Sequence, residues 1–113
     1  MNSLDNIETK YALWFDGYGY YAAHQPVYEW CFTYDLSAAE LYTYSSKDAL
    51  VNRAFQCSRL KNVQIRVDTV IVSISFDCIN STELDILTNN SNKSISDQIT
   101  KILTNVEEIK CQN

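Results

Sequence analysis

A chain of 113 residues fits one domain and one core. Hydrophobic residues at 46% and charged residues at 20% exclude wholesale disorder. A net charge of −5 with only nine basic residues excludes a general nucleic-acid binder, whose affinity comes from many Lys and Arg contacts to phosphate.

No apolar run reaches the length of a membrane span. The start, Met1-Asn2-Ser3-Leu4-Asp5, lacks the basic and apolar regions of a signal peptide, which leads to the expectation of a cytoplasmic protein. Two Gly and one Pro are few for a sandwich or barrel of many short strands, so fewer, longer elements are expected.

Taken in chain order, residues 1–9 read as a loose polar arm. Tyr11 to Phe15 is aromatic and strand-like. Asp16-Gly17 is a short-range hairpin signal, so Tyr18 to Ala23 returns as a second strand, with Gly19 marking a bulge or a close backbone approach. Pro26 breaks regular pairing, and Val27 to Tyr34 is a third extended run. Asp35 is an N-cap candidate for a single helical turn. Leu41 to Tyr44 reads as a short strand.

Ser45 and Asp48 match a helix-start pattern, and Leu50, Val51, Ala54 and Phe55 then form one apolar stripe, giving a helix over 46–60. Val63 to Phe76 is the strongest strand. Its apolar residues fall at odd positions up to Val67 and at even positions from Val70 onward. Side chains alternate strictly along a strand, so a β-bulge at Asp68-Thr69 is predicted, turning Val67 and Val70 to the same face. A hairpin here would need a very short turn without Gly or Asn. Residues 77–93 read as a turn and polar linker. The last helix, 94–113, carries a stripe of Ile95, Ile99, Ile102, Leu103, Val106 and Ile109. It is expected to cover the same sheet or to pair with another copy as a homodimer.

The fold class that follows is α+β: a single domain with a small antiparallel sheet of about four strands, one packed helix and a C-terminal helix.

The pattern of Asp16-Gly17, Tyr20-Tyr21, Trp30, Ala39-Glu40-Leu41-Tyr42, a helix and then a Val/Ile strand resembles small phage and prophage proteins over residues 10–76. The resemblance implies a hairpin-plus-helix domain from a mobile element, acting in the host cytoplasm. Such proteins are often inhibitors or modulators of host systems, including anti-defence proteins.

Chemistry-bearing patterns are sparse. His24 is the one histidine and lies in an expected loop without a nucleophile motif. Cys31, Cys57, Cys78 and Cys111 lack the paired spacing of zinc sites. They read as free thiols, the first three as small buried hydrophobes. Gly17-Tyr18-Gly19 is not a phosphate loop. No metal, cofactor or enzymatic activity is expected.

Of 14 aromatic residues, all but Phe55 and Phe76 precede Ser45. Residues 1–45 also carry six acidic residues against Lys10 alone. Tyr and Trp give large contact areas at low entropic cost, although aromatics also favour strands and this half is strand-rich. The expected contact face is Tyr18, Tyr20, Tyr21, Trp30 and Tyr34, with Asp16, Asp35 and Glu40 at its rim. Its expected partner is a host protein or complex with a basic groove, such as a nucleic-acid-binding enzyme. The alternative is a nucleotide-binding or sequestering protein using Arg53, Arg59, Lys61 and Arg66.

Overall fold

A computed structural model describes residues 8–22, 31–57, 63–73, 75–85 and 92–111. Five strands form one antiparallel sheet: β1 (Glu8–Phe15), β2 (Gly19–Ala22), β3 (Cys31–Thr33), β4 (Ile65–Val72) and β5 (Phe76–Glu83). Their order across the sheet is β3-β2-β1-β4-β5. Two helices, α1 (Lys47–Cys57) and α2 (Asn92–Cys111), complete the fold. The α+β architecture is the one expected, with five strands in place of about four.

The central pair is β1 with β4, in unbroken register from Glu8↔Val72 to Phe15↔Ile65. One residue in two therefore faces the helices. On this front face Tyr11, Leu13 and Phe15 of β1 join Ile65 and Val67 of β4, Leu50, Val51 and Ala54 of α1, and Ile95, Ile99 and Leu103 of α2. α2 thus covers the same sheet as α1. Ile95, Ile99 and Leu103 of its apolar stripe are core and are not free for a dimer; the side chains of Val106 and Ile109 lie outside what the structure describes. Gln98 fixes α2 to the chain leaving β5: its Oε1 accepts from the Asp85 N–H at 2.6 Å, and its Nε2 donates to the Asp85 carbonyl at 2.9 Å.

The back face carries a second, smaller core of Ala12, Tyr20 and Val70. Leu36, Ala39 and Leu41 pack on it from a strap that crosses this face. Asp35 caps the single helical turn in that strap, Leu36–Ala38, as expected: its carboxylate accepts from the Ser37 N–H at 3.0 Å. The strap then slips between the diverging β2 and β1. Glu40 N–H donates to the Tyr21 carbonyl, and Tyr42 exchanges two hydrogen bonds of 2.8 Å with Tyr11. The expected strand at Leu41–Tyr44 is therefore one bridge at Tyr42. Beyond it a 3-10 turn, Tyr44–Ser46, leads into α1, which begins at Lys47, one residue after the expected start. Ser46, not Asp48, closes the start, with its Oγ accepting from the Thr43 N–H at 2.8 Å.

The predicted bulge in β4 is not there. Val67 and Val70 are both fully buried, but on opposite faces, Val67 under the helices and Val70 under the strap. The switch of apolar parity along β4 records which face is covered, not a kink in the strand. The irregularity lies in the neighbour: opposite Thr69 and Val70 the register of β5 shifts, with Thr69 paired to Asn80 and Val70 to Cys78, so Ile79 is the extra residue.

The continuous strand expected to Phe76 is instead a hairpin. β4 stops at Val72, bends at Ser73 and Ser75, and β5 returns with Phe76 opposite Val72. Serine supplies the turn where Gly and Asn are absent. Two segment boundaries change accordingly. Residues 77–83, read as turn and linker, are strand; their polarity belongs to an edge strand exposed along nearly its whole length. Glu8 and Thr9, assigned to the arm, already pair with Val72 and Ile71. Cys78, expected to be buried, is an exposed free thiol on that same edge.

Candidate interaction surface

The β1–β2 hairpin builds one end of the sheet. Tyr18 N–H donates to the Phe15 carbonyl at 2.9 Å, closing a turn over Asp16, Gly17 and Tyr18. Gly17 and Gly19 hold φ of 87° and 105°, a region that L side chains rarely adopt. Gly19 also answers the expectation of a close approach: a Cβ there would lie 2.7 Å from the Thr33 carbonyl oxygen.

Two exposed tyrosines stand at this end of the sheet on ring supports, Tyr18 on the turn and Tyr34 just after β3. Tyr18, 44% exposed, packs on Phe32, whose ring lies at 5.2 Å and which is seated in turn against Phe15 and Tyr21. Tyr34, 69% exposed, packs edge-on to Trp14 at 5.7 Å. Its hydroxyl also reaches the Gly17 carbonyl at 3.3 Å. Asp16 and Asp35 are exposed beside them, and Glu40 is half-buried.

Tyr20 and Tyr21 must be removed from the expected contact face. Both are buried, at 8% and 7%, and as consecutive strand residues they point to opposite faces of the sheet. Trp30 lies outside the described residues, as does His24. What remains of the expected set at the surface is Tyr18 and Tyr34 with Asp16, Asp35 and the half-buried Glu40.

The alternative basic set does not converge either. Arg53 stacks over Tyr21 on the front face at 4.8 Å, while Arg66 stacks over Trp14 on the back face at 4.7 Å. The sheet separates them, so one ligand cannot bridge both. Arg59 and Lys61 lie outside the described residues.

Beside the hairpin, sequence reasoning missed a polar cluster. Arg66 and Asp68 are two apart on β4 and so share the back face. Arg66 Nε donates to Asp68 Oδ1 at 2.8 Å, and the Tyr20 hydroxyl donates to Asp68 Oδ2 at 2.7 Å. Asp68 is fully buried. Burial pushes its carboxyl upward, but hydrogen bonds from Arg66, Tyr20 and Ser81 and the Arg66 charge outweigh that, and the net direction is below the ordinary carboxylate value. Burial and then the bond to Asp68 push the Tyr20 hydroxyl well above the usual tyrosine value.

The exposed side of Arg66 opens on a depression of about 130 Å³ lined by Trp14, Asp16, Gln64, Arg66 and Glu83. Small-molecule sites usually span roughly 300–1,000 Å³, so this one fits a side chain better than a nucleotide. The two-residue spacing that puts Trp14 on the face of Ala12, and Arg66 on the face of Asp68, was the available signal.

Among the described residues no group of three or more His, Cys, Asp or Glu is placed to hold a metal ion, and no helix is long and apolar enough to cross a membrane. Compared with family models, curated proteins and solved structures, the chain finds no match.

Proposed function

We propose that this protein works by binding another protein. It docks the hairpin end of its sheet on a basic partner surface and so inhibits or modulates a host system of the anti-defence type, anti-CRISPR or anti-restriction. The observation that carries this reading is the pair of exposed, ring-supported tyrosines, Tyr18 and Tyr34, flanked by Asp16 and Asp35. Aromatic side chains already fixed by their neighbours lose little freedom on binding, and such anchors carry most interface energy. The carboxylates and the net charge of −5 favour a positively charged partner, for which a nucleic-acid-handling host enzyme is the natural class. The resemblance of residues 10–76 to phage proteins points the same way.

The test is a pull-down from host lysate with the immobilised full chain, followed by mass spectrometry. A stoichiometric partner recovered by the wild type should be lost with Tyr18→Ala and Tyr34→Ala, each costing about 2 kcal/mol or roughly 30-fold in Kd. Asp16→Asn and Asp35→Asn should slow association and flatten its salt dependence. Asparagine keeps an Oδ1 at position 35 that can cap Ser37, so a folding defect is not expected there. Full binding by a folded double tyrosine variant would dismiss the hairpin end as the site. A co-purified nucleotide in place of a protein would favour the ligand-binding alternative.

A further inference from the structure

β5 is the last strand of the sheet, and its outer edge pairs with no other strand among the described residues. Every residue from Phe76 to Glu83 except Thr82 is exposed. The direction of its backbone groups follows from the ladder. Leu84 N–H donates inward to the Ile65 carbonyl at 2.8 Å. Backbone groups alternate along an antiparallel strand, so Thr82 and Asn80 also face β4, while Ser81 and Glu83 turn their N–H and C=O outward. Folded proteins usually blunt such an edge with lysine, proline, a bulge, short length or a covering element. β5 contains no lysine, arginine, proline or glycine. It has a bulge at Ile79 and the strap turn Leu36–Ala38 lies near it, yet Ile79 is 54% exposed and the stretch from Asn80 to Glu83 keeps regular register. The other edge strand, β3, is only three residues long.

We propose that the β5 edge receives an extended, basic segment of a partner protein, which adds to the sheet as a sixth strand. The charge along the edge selects this occupant. Asp77 and Glu83 lie on β5, exposed Asp85 follows, and no basic residue lies between 76 and 85. Residues directly opposite on paired strands attract when oppositely charged and repel when alike. A second copy would bring the same carboxylates, whereas a segment alternating basic and apolar residues would neutralise them. Glu83 also lines the depression with Asp16 and with Arg66, which stands opposite it on β4 but is itself held by Asp68, so a lysine or arginine opposite Glu83 has a second carboxylate within the same hollow. Exposed Phe76 and Ile79 offer apolar contact further along. This surface is distinct from the tyrosines of the hairpin end, and its use does not depend on theirs.

The experiment is residue-resolved amide hydrogen exchange by NMR on the full chain. The probe is a ten-residue peptide alternating lysine and valine, with an alternating glutamate and valine peptide as control. The amides of Ser81 and Glu83 should exchange freely in the protein alone and slow at least tenfold with the basic peptide. Asn80 and Thr82, already bonded to β4, should change little, and the acidic peptide should have no effect. The double variant Asp77→Asn with Glu83→Gln, which sets no like charge opposite Arg66, should lose most of the slowing while remaining folded. Basic peptide that leaves Ser81 and Glu83 unchanged would overturn the proposal. So would slow exchange at these two amides in the free protein that speeds up on dilution, because a second copy would then own the edge.

Discussion

Tyr20 donates its hydroxyl to Asp68 at 2.7 Å across the intervening strand β1, joining β2 to β4 on the back face. The carboxylate has no solvent exposure and is held besides by Arg66, whose side chain is one-third exposed. A buried charge of this kind is tolerated because it is paired and hydrogen-bonded. Its folded pKa is lowered, so the stabilisation it gives is fully present above the unfolded value of about 4 and is lost as the pH falls through the folded value. Asp68→Asn should therefore destabilise by about 2 kcal/mol at pH 7. The gap from wild type should narrow below about pH 4. Urea unfolding of both proteins at pH 7 and pH 3 checks this; an equal gap at both values would contradict it.

The alkaline side carries the opposite sign. Burial raises the Tyr20 hydroxyl above its ordinary value, reinforced by Asp68, and burial and then the Glu40 charge raise that of Tyr42. Folding favours their protonated forms, so this contribution is intact below the unfolded tyrosine pKa of about 10 and declines as the pH rises beyond it. Ultraviolet titration should show Tyr20 and Tyr42 ionising only with unfolding. In Tyr20→Phe the loss of stability above about pH 10 should become shallower.

Gly17 and Gly19 separate backbone strain from steric conflict. Both sit at positive φ, but a Cβ at Gly17 meets open space, while at Gly19 it would press on the Thr33 carbonyl. Gly17→Ala should cost about 1 kcal/mol, from left-handed strain alone. Gly19→Ala should cost clearly more, because β3 must move away from β2. Thermal melts of the two variants make the comparison, and equal losses would count against the close approach.

What the sequence disclosed and what it concealed follow one physical line. The α1 stripe of Leu50, Val51 and Ala54 and the α2 stripe of Ile95, Ile99 and Leu103 were readable because each helix buries a single face. The hairpin at Asp16-Gly17 was readable because positive φ demands glycine. β5 was not, because a strand exposed on both faces and at its edge has no apolar alternation to show. Nor could composition sort the tyrosines. Tyr18 and Tyr34 lie outside the cores, while Tyr20 and Tyr21, with the same side chain, are core because of their positions in β2. The Arg66–Asp68 pair was hidden because a polar residue in mid-strand reads as a break, when Asp68 is fully buried on the back face.

Val67 and Val70 offer the sharpest test of the fold. They are three residues apart, both fully buried, and belong to cores on opposite sides of one sheet. A bulge in β4 would have put them in one core. Val67→Ala removes packing against the helices, and Val70→Ala removes packing against Ala12, Tyr20 and the strap. Each should cost about 1–3 kcal/mol, as the loss of buried methyl groups does. The front core is larger and closed by two helices, so its cavity relaxes less and Val67→Ala should be the costlier change. Since the two side chains share no packing partner, the double variant should lose the sum of the single losses within about 0.5 kcal/mol. Urea denaturation of the four proteins closes the cycle. A coupling above about 1 kcal/mol would mean that the two valines share a cavity, and the two-faced reading of β4 would have to be given up.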